Sequence, residues 1–255
     1  MTTRKTEAGN LDILLRARRL AAVRACYEAI IQRAEKEGWG YSQFLHHLAE
    51  LELSQRETRR IERLKKISHL PADKTMDTLK LERFVDKIRK QIPSLRDGGF
   101  VDRAENVLVF GLPGRGKTHI VSAIGYELIE RGYQVLFIPT FKLVQRLLMA
   151  KRDLCLESEL KKLDKFDVVI LDDIGYIQQE RDEMEVLFTF LGERYERKSV
   201  MITSNLVFSQ WDRIFKDALT TAAAIDRVVH HAHILEINLK KSYRAEEAEK
   251  RKGKQ

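Results

Sequence analysis

Cysteine is nearly missing from this chain. Its 255 residues hold two, Cys26 and Cys155, far apart in sequence. Both are expected to be buried free thiols, and the compartment is expected to be the reducing cytoplasm. Long apolar runs are missing as well: no segment approaches the roughly 18 consecutive apolar residues of a membrane helix. The first residues have no apolar core of the kind a secretory leader carries, so none is expected. No internal repeat is visible. His230, His231 and His233 cluster, but no cysteine or third spaced ligand accompanies them, so they read as structural histidines rather than a metal site. Apolar residues make up 44%, ordinary for a globular protein, and the length suits one large domain or a large one with a smaller one.

Charge is plentiful and uneven. The net charge is +8. Residues 1–100 carry 21 Lys and Arg against 14 Asp and Glu, residues 240–255 carry 7 against 3, and residues 101–239 carry 18 against 21. A slightly acidic middle is therefore flanked by basic ends. Basic ends suit a polyanion, with nucleic acid first. By charge alone, a solvated helical surface would look the same.

The middle opens on Asn-Val-Leu-Val-Phe-Gly-Leu-Pro-Gly-Arg-Gly-Lys-Thr, residues 106–118. Gly111, Gly116, Lys117 and Thr118 fit the phosphate-loop pattern G-x-x-x-x-G-K-[ST]. Val107 to Phe110 reads as a buried parallel strand. Ile120, Val121, Ile124, Leu128 and Ile129 then recur at helical spacing. Glycines let a backbone wrap a polyphosphate, and a helix N-terminus adds positive partial charge. The loop Gly111, Leu112, Pro113, Gly114, Arg115, Gly116, Lys117, Thr118 and His119 is thus a candidate ATP site. Lys117 would reach the β- and γ-phosphates, and the Thr118 hydroxyl would bind Mg²⁺.

Before the loop the chain reads as helical. Residues 1–10 are polar and expected to fray. A helix is predicted from Leu11 to Ile31, broken at Gly38 and Gly40, and a second from near Ser42, with Phe44, Leu45, Leu48 and Leu51 on one face. That helix continues into Arg56, Arg59, Arg60, Arg63 and Lys66, whose spacing gathers cations on one side, with Ile61, Leu64 and Ile67 to pack the other. The row is a candidate DNA-phosphate surface; its alternative is a solvated face. Residues 68–80, with Pro71, read as a linker, Leu79 to Ile92 as a short helix stopped near Pro93, and the domain boundary is set near residue 75.

Beyond the loop, strands are expected at 134–139, 167–173, 199–205 and 233–237, helices at 140–151, 182–196 and 208–229, and a charged segment at 152–165. Five strands alternating with helices predict a doubly wound α/β parallel sheet with ligand at the strands' carboxyl ends. Val168-Val169-Ile170-Leu171-Asp172-Asp173 is an apolar run ending in two acids. Asp172 would help hold Mg²⁺ beside Thr118, and Asp173 would act on the attacking water. Asn205, ending the next strand, could orient that water or sense phosphate; its alternative is a turn former. Arg227 lies late in a helical stretch, where an arginine is commonly solvated or paired.

Taken together, Phe110 to His119, Leu171-Asp-Asp-Ile-Gly-Tyr176, Glu193-Arg-Tyr-Glu-Arg197, Thr203-Ser-Asn-Leu206, Asp226-Arg-Val-Val-His-His231 and Ser242-Tyr-Arg244 resemble, in this order, the IstB-type ATP-binding proteins encoded beside a transposase in insertion sequences. These are AAA+ ATPases related to DnaC-type helicase loaders. The resemblance covers about residues 10–245. It implies an AAA+ P-loop NTPase domain over 76–245 with a five-stranded parallel sheet, after a small all-helical basic domain over 1–75 and before a basic tail, 246–255. It places Asp172 and Asp173 as the Walker B pair, Asn205 as sensor one, Arg227 as the arginine acting on a neighbour's nucleotide, and Arg244 as a sensor-two arginine. It implies ATP and Mg²⁺ as cofactors, homo-oligomers on duplex DNA, and a transposase partner. Leu112 stands where the family commonly has Pro, Arg115 where it has a small residue, and Lys240-Lys241 where it has Gly-Glu.

The expected function is therefore an ATP-dependent DNA-binding helper of transposition. The rival is a helicase loader, whose N-terminal domain would grip a helicase and could be more apolar. A small-molecule phosphotransferase is disfavoured, since nothing resembles an acceptor pocket or lid.

Overall fold

The computed structural model describes residues 2–174, 181–206, 211 and 225–237, with backbone alone for 2–9 and 181. Arg244, Lys240-Lys241, the tail 246–255 and most of the helix expected over 208–229 lie outside these. Packing divides the chain into two units, Met1–Arg63 and Leu64–Gln255. The division falls inside a helix, ahead of the boundary expected near 75. Leu70, within the expected linker, explains this: its δ carbons lie against Gly125, and its carbonyl accepts from the Tyr126 hydroxyl at 3.3 Å.

The first unit holds α1 (Thr2–Ala17), α2 (Ala21–Glu37) and most of α3 (Tyr41–Ser68). Two expectations change here. The first residues are helical from Thr2, not frayed, and the single helix over Leu11–Ile31 is two, broken where Arg19 takes φ 55°. α2 ends at Gly38, whose left-handed φ of 66° lets its N–H reach the Ala34 carbonyl. The other end of α2 is capped from α3: buried Glu52 accepts from the N–H groups of Ala22 and Val23 at 3.0 and 3.4 Å. Arg56 donates to Glu52 at 2.8 Å and to the Arg19 carbonyl at 3.2 Å. Burial alone would raise the Glu52 carboxyl, but these donors hold it below its ordinary value. Leu15, Ala22, Val23 and Ile30 form the interior, whereas Leu45, expected to pack, is exposed.

The second unit begins, after the end of α3, with a 3₁₀ turn (Leu81–Arg83), α4 (Asp86–Arg96) and α5 (Gly99–Asp102). Pro93 does not stop α4. It removes one hydrogen-bond donor, but buried Ile92 and Leu95 carry the helix another turn. Then follow β1 (Asn106–Gly111), α6 (Lys117–Glu130), β2 (Val135–Pro139), α7 (Thr140–Arg152), α8 (Leu156–Leu163), β3 (Val168–Ile174), α9 (Arg181–Arg194), β4 (Ser199–Ser204) and β5 (Ala232–Ile237). α8 occupies the segment read as merely charged. Cys155 precedes it and is exposed, against expectation; Cys26 is half-buried, with its thiol on the Ala22 carbonyl at 2.9 Å.

All five strands are parallel, in the order β2-β3-β4-β1-β5. β1 over Val107–Phe110 and β3 over Val168–Leu171 are apolar and buried, as strands covered on both faces must be. α6 lies close on the sheet because Gly125 has no side chain: a methyl there would sit 3.1 Å from Ile170 Cδ1. Among the described residues, no helix is long and apolar enough to cross a membrane.

Candidate active site

The phosphate loop leaves β1 at its carboxyl end and enters α6. Its backbone needs the glycines: Gly114 and Gly116 have φ of 73° and 94°, and Gly111, at 154°, would place a methyl 2.8 Å from the Ile237 carbonyl oxygen. Lys117 is buried, and its Nζ donates to the Gly111 and Leu112 carbonyls at 2.8 and 3.3 Å and to Asn205 Oδ1. Leu112 is exposed, while Arg115 is half-buried, its Nη1 without a hydrogen-bond partner among the described residues. His119 turns towards the opening segment of its own unit: its Nε2 lies 3.0 Å from Thr78 Oγ1 and 3.1 Å from the Thr75 carbonyl, and burial lowers its pKa.

The two acids reach the loop because β3 departs from regular pairing. Leu171 faces Ile202 and Ile174 faces Ser204, three steps on β3 against two on β4. The extra residue is a bulge, and Asp173 within it takes φ 63°. Strict alternation would send the two carboxylates to opposite faces. Instead, Asp172 accepts from Thr118 Oγ1 at 2.9 Å, and Asp173 accepts from Asn205 Nδ2 at 2.6 Å. Lys117, Asn205 and Asp173 thus form one hydrogen-bonded set and Thr118 and Asp172 a second, together at the carboxyl ends of β1, β3 and β4.

Sequence reasoning missed two members of this neighbourhood. Thr203 Oγ1 donates to Asp172 Oδ1 at 2.7 Å and accepts from the Asp173 N–H at 2.8 Å; Thr140 Oγ1 donates to the Asp172 carbonyl at 3.1 Å. Both sit at element ends that the strand predictions located, which was the available signal.

Arg227 is not part of this group. It belongs to a helical segment, 225–229, that precedes β5, and β5 starts at Ala232 opposite Asn106, the first residue of β1. It therefore lies at the amino ends of the strands, away from its own phosphate loop. Its guanidinium lies over Gly192 of α9, where a methyl would be 3.3 Å from Nη1. Of the nearby histidines, His233 Nε2 is 2.9 Å from Glu105. His230, His231 and Glu196, all exposed, bring ligand atoms within 4.8 Å of one another. Glu196 is the third group of this cluster, which could hold a metal ion, and the local spacing did not reveal it.

The sequence profile of the IstB-like ATP-binding proteins matches residues 13–251. The chain belongs to that family. An insertion-sequence ATP-binding protein of Sinorhizobium fredii is 42% identical over 252 residues, 97% of this chain and 84% of the relative. The ATP-binding protein of insertion sequence IS21 from Pseudomonas aeruginosa is 35% identical over 240 residues, 94% of this chain and 90% of the relative. Among solved structures, the DnaC helicase loader matches with a TM-score of 0.53 at 18% identity, over 66% of this chain and 98% of that one. AMPPCP-bound DnaA from Aquifex aeolicus matches at 0.57 and 18%, over 73% of this chain and 56% of that one. At these identities the likeness establishes the fold alone: the IstB-like chain carries an α/β domain of that fold, preceded in sequence by helices.

The cationic row expected on α3 is helical and exposed, but its members differ. Arg56 is committed to the Glu52 cap, Arg59 Nη2 donates to Gln55 at 2.9 Å, and Arg60 lies 3.7 Å from Glu57. Arg63 and Lys66 are exposed, with no ion pair or hydrogen bond among the described residues.

Proposed function

We propose that this IstB-like protein hydrolyses ATP with Mg²⁺ and uses the cycle to assemble on duplex DNA and assist a transposase in choosing and acting on its target. The observation that carries this reading is the convergence of Lys117, Thr118, Asp172, Asp173 and Asn205 at the strand ends, with Thr203 joining their hydrogen bonds into one network. A hydroxyl and a carboxylate form a hard oxygen donor pair of the kind Mg²⁺ prefers, so Thr118 and Asp172 would hold it. When bound, the ion screens phosphate charge. The loop N–H groups and Lys117 bind and orient the polyphosphate. Asp173 Oδ1 takes the proton of the attacking water, and Asn205 holds that carboxylate in place. Arg227, at the far ends of the strands, serves a neighbouring subunit's nucleotide. The relatives' insertion-sequence context supports the DNA role, and Arg59, Arg60 and Arg63 are its exposed cations.

Two measurements test this. Lys117→Ala should abolish ATP binding at micromolar nucleotide in a calorimetric titration; unchanged binding would remove the site. Reversing Arg59, Arg60 and Arg63 to Glu should weaken binding to every duplex sequence alike and flatten the salt dependence, by on the order of 0.9 in log–log slope for each phosphate that the variant no longer neutralises. Intact duplex affinity in that variant would leave the row a solvated face. It would also favour a second reading, a helicase-loader-like grip on another protein. Tyr41, Leu45 and Leu53 support that reading: exposed at multiples of four on α3, they make an apolar row.

A further inference from the structure

We infer that Thr203 is the positioning residue that holds the metal-binding acid of this site. The inference rests on the proposed ATP and Mg²⁺ reading and assigns it a residue with no direct contact to phosphate or metal. Thr203 is fully buried in β4, between β3 and β1, where its backbone pairs with Val109. A hydroxyl has one proton to give. Thr203 gives it to Asp172 Oδ1 at 2.7 Å, and a lone pair takes the Asp173 N–H at 2.8 Å. Both directions of its hydrogen bonding are therefore committed to the acid pair.

The two bonds do different things. The bulge takes Asp173 out of the regular β3–β4 register, and Asp173 stands in the left-handed region; the Thr203 lone pair takes the Asp173 N–H and fixes the turn. The proton given to Asp172 Oδ1 fixes the carboxylate's rotation. Thr118 Oγ1 also bonds to this carboxylate, at 2.9 Å to Oδ1 and 3.2 Å to Oδ2. Thr118 has a second duty towards the metal, whereas Thr203 has none, so Thr203 is the partner that keeps the acid aimed. Partners of metal ligands typically contribute about 10- to 100-fold to metal affinity. A valine has the same shape without the hydroxyl, while a serine keeps the hydroxyl.

The test is Mn²⁺ binding, read by electron paramagnetic resonance, to the full-length protein saturated with a non-hydrolysable ATP analogue, alongside analogue binding in EDTA. Thr203→Val should bind Mn²⁺ at least about tenfold more weakly, with analogue affinity in EDTA unchanged, and Thr203→Ser should return to within about twofold of the unaltered protein. Thr203→Val with unaltered Mn²⁺ affinity would overturn the inference. If Thr203→Val does not fold, Thr203→Ser decides. Full Mn²⁺ affinity despite its lost methyl supports a role through the hydroxyl, and a loss like that of a packing defect overturns it. Failure of the unaltered protein itself to bind the analogue would instead overturn the ATP reading on which the inference rests.

Discussion

Arg194 shows how much structure one side chain can hold in this fold. It ends α9, is 3% exposed, and donates to the carbonyls of Leu163, Phe166, Asp167 and Ser199 at 3.3, 3.0, 3.0 and 2.9 Å. Burial lowers its pKa to about 10, which still leaves it charged at neutral pH. Methionine at this position would fill similar space and leave those carbonyls unpaired, at about 1–3 kcal/mol for each one that water does not reach. Arg194→Met should lower the urea midpoint by a stability loss of about 3 kcal/mol or more, with the slope of the transition unchanged. Nothing local in the sequence marks this arginine, because its partners lie up to 31 residues away. Lys117 and Thr118 were legible for the opposite reason, since phosphate chemistry demands those residue types at a fixed spacing on a strand–loop–helix, and Asp172 was legible as an acid ending a buried apolar strand.

Among the elements, the edge strand β5 is tied down by the residues just before and at the start of β1. Asn106 donates from Nδ2 to the Val228 carbonyl at 3.0 Å and accepts the Val200 N–H at 3.0 Å, which ties the segment bearing Arg227 to the sheet. Glu105 accepts two bonds from Arg103 and lies 2.9 Å from His233 Nε2 in β5. The Arg103 bonds first, with His233 adding to them, bring its carboxyl down to about 2. A depressed carboxyl stabilises the fold above its ordinary pKa of 4.5, and that contribution disappears as pH falls towards 2. Glu105→Gln should therefore be less stable than the unaltered protein near pH 7, by about 1 kcal/mol given Arg103's solvent exposure, with the gap closing below pH 4.5. Urea midpoints at pH 7 and pH 3 measure it. The strands were legible in the sequence because buried parallel strands are continuous apolar runs. The helices were less so. Leu156, Leu160 and Leu163 do follow helical spacing, but charges between them hid α8, and no glycine or proline marks the break between α1 and α2.

At the scale of the whole molecule, the two units were legible as a basic helical part before an alternating part, but not their division. That depends on where Leu64 and Leu70 pack, a tertiary fact that a proline-containing stretch obscured. The placement of Arg227 at the amino ends of the strands also appears only once β5 is paired with β1. On the trans reading, Arg227→Ala should bind ATP nearly normally yet lose hydrolysis by on the order of 10³-fold. Mixing it with Lys117→Ala should recover part of the turnover, since each variant keeps what the other lacks. If the mixture co-assembles but hydrolyses no more ATP than its separate components, the trans assignment fails. On the trans reading, an arginine at one end of the strands and a nucleotide site at the other would suit head-to-tail association, which closes into a ring or extends as a helical filament, whereas an antiparallel two-fold pair would join each arginine to its partner's site and stop at two subunits. In an open filament one terminal nucleotide site stays incomplete and one arginine at the opposite end stays idle, so turnover per subunit would rise with filament length and hence with protein concentration.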